Sequence, residues 1–123
     1  MTKPPSPQRW SEKYRCALRG AAIAVRGEDS FWVHIPACVL VIVLAIVLRV
    51  TLEEWLLLAF CIGAVLTAEL LNTALEHLAK AVTQEQNEHV RNALDVSAAA
   101  VLAASVTAKV VGTVIFGSRL LGW

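Results

Sequence analysis

Residues 37–48 read ACVLVIVLAIVL, an unbroken apolar run that ends at Arg49. With the aromatic residues before it, the run extends from about Phe31 to Leu48, and a helix of about 20 residues crosses a hydrocarbon core about 30 Å thick. The rest of the chain agrees with that reading. Of 123 residues, 57% are hydrophobic and 17% charged, and the mean hydropathy is +0.61, too apolar for an ordinary small soluble domain. Two more spans follow, from about Trp55 to Leu75 and from about Val96 to Leu121, just after Asp95. The fold class expected is an all-α membrane protein with three transmembrane helices. The first span begins too far into the chain, and lacks the following small-residue site, to be a cleavable signal peptide.

Basic residues set the orientation. Lys3, Arg9, Lys13, Arg15, Arg19 and Arg26 precede the first span, whereas the loop after it offers Arg49 beside Glu53 and Glu54. The positive-inside rule therefore predicts a cytoplasmic N-terminus, a cytoplasmic second loop and an external C-terminus. Met1–Pro7 holds three prolines and reads as a disordered tail, leaving 8–123 as one membrane-embedded domain. From Gln8 to about Gly27 a surface helix is expected. Trp10, Tyr14, Ala17, Ala21 and Ala24 share one face and Glu12, Arg15, Arg19 and Arg26 another, as in a helix lying on an anionic leaflet or serving as a plain anchor. Cys16, Cys38 and Cys61 have no metal-type spacing and suggest no disulfide framework. No nucleic-acid partner is expected.

Against this apolar background the segment Ala68–His77, AELLNTALEH, is anomalous. Offsets of three and seven put Glu69, Asn72 and Glu76 on one helical face, with the two carboxylates about 10 Å apart along the axis. Charge in a span is costly and is retained for function or paired. The topology brings this face to the cytoplasmic interface, together with Glu28 and Asp95. Four carboxylates with few nearby cations invite a divalent ion, and magnesium commonly binds through one or two carboxylates plus substrate phosphates. A further carboxylate would accept a proton from an attacking hydroxyl. The pattern suits phosphoryl transfer to a membrane alcohol; the competing reading is polar residues that only join helices. No GxxxxGK[ST] or GxGxxG arrangement is present, so the phosphates would fall to a metal and to Arg15, Arg19, Arg26, Lys80 or Arg91.

AELLNTALEH, followed by NALDVSAAAVL and preceded by YRCALRGAAIAVRGEDSFWVH, resembles the bacterial integral-membrane diacylglycerol kinases, which include undecaprenol kinases. The likeness runs from Tyr14 to about Leu102. Its core is E-x-x-N-T-A-x-E with an Asp nineteen residues on, matched by Glu69, Asn72, Thr73, Ala74, Glu76 and Asp95, with Gly20, Glu28, Phe31 and His34 upstream. The resemblance implies a homotrimer of three-span subunits with active sites at the cytoplasmic interface between subunits. It implies Glu69 as general base and Glu28 and Glu76 as ligands of the magnesium that accompanies ATP. Asn72 would hold the reacting groups and Asp95 would bind nucleotide. The expected reaction is transfer of the ATP γ-phosphate to diacylglycerol, giving phosphatidic acid, with undecaprenol as the alternative acceptor.

Two positions depart from the resembled pattern. Leu94 stands where such kinases usually carry a lysine before the Asp, and Lys80 where many carry an Asp. Arg91, one turn before Asp95, is the candidate to replace the missing cation, with Lys80 a partial one. Asp95 also has a plain reading, as an N-cap for the third span. Lys109 lies mid-span, where insertion scales charge about 2.5 to 3.5 kcal/mol, and is expected to meet an interior carboxylate or to snorkel. His34 is expected to make a structural hydrogen bond, His77 and His89 to be solvated, and Trp10, Trp32, Trp55 and Trp123 to anchor at interfaces.

Overall fold

The computed structural model describes residues 10–27, 29–82 and 85–122, all helix or short connection. Four helices follow in order: α1 (Trp10–Gly27), α2 (Asp29–Val47), α3 (Leu52–Val82) and α4 (Glu88–Leu121). Met1–Pro7, Glu28 and Trp123 lie outside the described residues.

Local chemistry fixes the helix ends. After α2, Arg49 takes a left-handed φ of 52°. The Val50 N–H then donates to the Ala45 carbonyl (3.2 Å) and the Arg49 N–H to that of Ile46 (3.3 Å). This is a Schellman stop, and its accompanying apolar contact is made here by buried Ala45 and Val50. The next helix opens at once with a capping box: the Glu54 N–H donates to Thr51 Oγ1 (3.2 Å) and the Thr51 N–H to Glu54 Oε1 (2.9 Å). α4 is capped by Asn87, whose side chain accepts from the Val90 N–H at 3.1 Å, and ends at left-handed Gly122, φ 73°. Pro36 sits inside α2, where it cannot bond the carbonyl one turn earlier, yet the helix runs on to Val47.

The expected elements are all present, with later or earlier ends. α3 continues past Leu75 to Val82, and α4 begins at Glu88 rather than near Val96, because apolarity marks only the part of a helix that suits lipid. Asp95 therefore lies two turns inside α4, and the N-cap role belongs to Asn87. α3 and α4 are each long and apolar enough to cross a membrane; Phe31–Val47 qualifies only together with Trp10–Gly27, from which it is bent by 106°. At 1.5 Å per residue, the 19 residues of α2 cover about 28 Å.

α3 and α4 pair along their length, and α1 and α2 lean on that hairpin more lightly. At the end holding the α2–α3 turn, Ala45, Val50, Leu58 and Ile115 form a buried cluster, with Val41, Trp55, Val111 and Phe116 packed against it. Trp55 thus serves packing as well as any interfacial role. Arg119 closes this end by donating to Glu54 through Nε (3.2 Å) and Nη2. The exterior is strongly apolar, with Phe60 78% exposed and Leu102 64%, a surface suited to hydrocarbon rather than water.

α1 departs from its expected arrangement. Ala17, Gly20, Ala21 and Ala24 face Leu70, Thr73, Ala74 and His77 of α3 across a recess of about 510 Å³, and Ala24 is buried. The alanines of the expected apolar face therefore lie on the side of α1 toward α3, with Ala24 buried there. Trp10 and Tyr14 remain exposed.

Candidate active site

The opposite end of the molecule, where α2 and α4 begin and α3 finishes, gathers the polar side chains. Glu69 is 3% exposed. A carboxylate at that depth needs a hydrogen-bond donor, and α2 supplies one: His34 Nε2 lies 2.8 Å from Glu69 Oε1. One turn on, the Thr73 hydroxyl is tied to the Glu69 carbonyl at 3.0 Å, which keeps that buried hydroxyl satisfied.

Asn72 links two helices. Its Nδ2 donates to Glu76 Oε1 at 2.9 Å, and its Oδ1 accepts from the Ser97 hydroxyl of α4 at 2.9 Å. Ser97, Asn72 and Glu76 thus form one directed chain of bonds, which fixes which way the Asn72 amide points. No polar side-chain atom is buried without a partner among the described residues. One oxygen of each carboxylate, Oε1, is engaged in these bonds, and the Glu69 side chain is almost wholly buried. An apolar groove of about 1060 Å³ runs beside this network, lined by Phe60, Gly63, Thr67, Leu71, Val96 and Ser97 among others.

The structure brings Glu69, Asn72 and Glu76 together on one face of α3. It does not bring Asp95 and Arg91 to them. Those two line a separate recess of about 510 Å³ on the first turns of α4, with Leu94 between them. Two residues of helix turn a side chain by about 200°, so Ser97 bonding to α3 leaves Asp95 on the far side of α4. Arg91 shares that far face, four residues before Asp95. Glu28 lies outside the described residues, and among those described no three His, Cys, Asp or Glu side chains converge as a metal cage. Lys80 is exposed. Lys109 is also exposed, lines a groove between α2, α3 and α4, and meets no carboxylate among the described residues. The three cysteines are free.

His34 makes the structural hydrogen bond expected of it, and its partner is Glu69. Ser97, which the sequence does not single out, bonds the Asn72 amide. The signal for His34 was a titratable ring at the level of Glu69; Ser97 sits at the head of a small-residue stripe that offers no signal of its own.

The prokaryotic diacylglycerol kinase family matches residues 15–116. The undecaprenol kinase of Bacillus subtilis (strain 168) is 30% identical over 112 residues, covering 91% of this chain and 91% of that protein. No solved structure matches the chain. The family match reaches from α1 almost to the end of α4 and takes in Glu69, Asn72, Glu76 and Asp95, so this chain belongs to the prokaryotic diacylglycerol kinase family and is a lipid kinase of the bacterial membrane.

Proposed function

We propose that this kinase transfers the γ-phosphoryl group of ATP, with magnesium, to the terminal hydroxyl of undecaprenol, with diacylglycerol as the second acceptor. The observation that carries the reaction is Glu69, a buried carboxylate whose Oε1 is bonded to His34. Glu69 takes the proton of the lipid hydroxyl as its oxygen attacks the γ-phosphorus. The bond from that phosphorus to the β–γ bridging oxygen breaks, and ADP departs. Such transfer depends on positioning and charge neutralisation more than on covalent chemistry. Undecaprenol is placed first because of the near full-length relative that carries that name; the family's own name supports diacylglycerol. The apolar groove beside Ser97 suits a lipid tail of either kind.

Carboxylate donors of this kind would suit magnesium. Glu76, with Glu28, offers hard carboxylate oxygen, and one or two carboxylates plus phosphate are the usual protein share of a magnesium site. When bound there, the ion supplies neutralisation of the nucleotide phosphates. Asn72, oriented by Ser97, holds the Glu76 carboxylate in place. Asp95 and Arg91 bind nucleotide from the far face of α4, which supports a site shared between copies in a trimer. In that assembly, Arg91 takes over part of the work of the cation that Leu94 does not provide. The basic residues before the first span support a cytoplasmic setting for this end, where ATP is available.

The test is direct. Purified protein in mixed micelles receives labelled ATP and magnesium with undecaprenol or diacylglycerol, and labelled lipid is scored. Faster labelling of undecaprenol supports the reading, preference for diacylglycerol reverses the order of acceptors, and labelling of neither by an intact oligomer overturns it.

A further inference from the structure

We infer that His34 is a positioning residue, holding the Glu69 carboxylate in the orientation from which it takes the lipid proton; this rests on Glu69 being the general base. The two residues are 35 positions apart, on different helices, and meet at 2.8 Å. Nothing local in sequence forces that contact. α2 is otherwise lightly packed, so the bond is a principal tie between its first turns and α3 at this end. His34 supplies the one side-chain donor that reaches Glu69 among the described residues, and it bonds Oε1 alone. Thr73, the nearest hydroxyl on α3, is committed to the backbone and gives the carboxylate no support.

A glutamate has three rotatable bonds, and an unheld carboxylate would lose much of its productive population to other rotamers. Donation from the imidazole N–H removes that freedom, and an N–H bond to a carboxylate is among the stronger ones available. The ring stands on α2 while Asn72 and Glu76 stand on α3, so His34 orients the base without touching the side chains read as serving the metal. The expected signature is a fall in turnover at unchanged nucleotide affinity.

Two variants of equal length separate donation from bulk. His34→Gln keeps an N–H donor at about the reach of Nε2; His34→Met fills similar space and donates nothing. Both are assayed as full-length protein in mixed micelles with the acceptor lipid that the natural protein labels, beside Glu69→Gln, with oligomer size checked in parallel. We expect His34→Met to lose about 10- to 100-fold in kcat with KM for ATP within about twofold, and His34→Gln to recover most of that loss. Unchanged kcat in His34→Met while Glu69→Gln is inactive overturns the positioning role and leaves the base intact. Equal loss in both His34 variants overturns it too, since the ring would then be doing something other than donating. A rise in KM for ATP at constant kcat has the same consequence. An active Glu69→Gln removes the base itself.

Discussion

The two ends of the α3–α4 hairpin are held by opposite means. At the α2–α3 turn, apolar side chains pack into a small buried cluster, and the polar groups satisfy one another: the capping box uses Thr51 and Glu54, and Arg119 bonds the same carboxylate. At the other end the helices are tied by side-chain bonds, His34 to Glu69 and Ser97 to Asn72, and wide grooves lie beside them. One end spends its interactions on closure. The other leaves surfaces open, as a site that must admit a lipid and a nucleotide requires. The contrast locates stability and chemistry in different halves of the same helices, so substitutions at the two ends should separate turnover from folding.

The largest expected effect is at the polar end. Glu69→Gln removes the base and keeps the shape, and should lower kcat by about 10²- to 10⁴-fold, with helix content and oligomer size unchanged. The matching change at the closed end is Leu58→Ala. Leu58 is 3% exposed and belongs to the apolar cluster. Because lipid tails are as apolar as leucine, the transfer part of the usual cost falls away and the packing defect remains, about 1 to 2 kcal/mol. Detergent-titrated unfolding should register that loss while kcat per folded molecule stays constant. A Leu58→Ala protein that folds as well as the original but turns over slowly would break the division between the two ends.

A smaller effect at the polar end tests whether its bonds serve stability at all. Ser97→Ala frees Asn72 Oδ1 and deletes the α4 tie to the network. Hydrogen bonds between membrane helices average about 0.6 kcal/mol, so unfolding should shift little. Turnover should fall several-fold, because the amide that holds Glu76 can then rotate. If unfolding shifts by more than turnover does, the network is an assembly device rather than part of a site.

How far the sequence reveals these ends differs between them. The spans were legible because hydrophobic length is a property of contiguous residues, and the Glu69–Asn72–Glu76 face because helical spacing is. Helix ends were less so: Asn87 and Glu88 sit in a polar stretch where apolarity gives no guide, which let Asp95 read as a cap. The pairing of His34 with Glu69 depends on how α2 leans on α3, and no local pattern encodes that angle. The separation of Asp95 from Glu76 was hidden for the same reason. Both residues were assigned to one interface by depth, whereas rotation about α4 decides which face each occupies.

The smallest expected effect lies at the closed end and appears only in acid. Arg119 bonding, aided by the Thr51 N–H, holds the Glu54 carboxyl below its ordinary range, at the start of α3 just ahead of the span. A carboxyl lowered in the folded protein stabilises it above the unfolded value, about 4.3, and that contribution disappears as pH falls through the lower folded value. Unfolding measured from neutrality downward should therefore show an acid-dependent loss that Glu54→Gln and Arg119→Ala both flatten. The pair is partly exposed, so salt should shrink the effect further. Since the closed end rests on Ala45, Val50, Leu58 and Ile115 rather than on this ion pair, neither variant should approach the cost of Leu58→Ala at neutral pH. An Arg119→Ala protein that unfolds more readily than Leu58→Ala would show that closure there is electrostatic, and would erase the difference between the two ends.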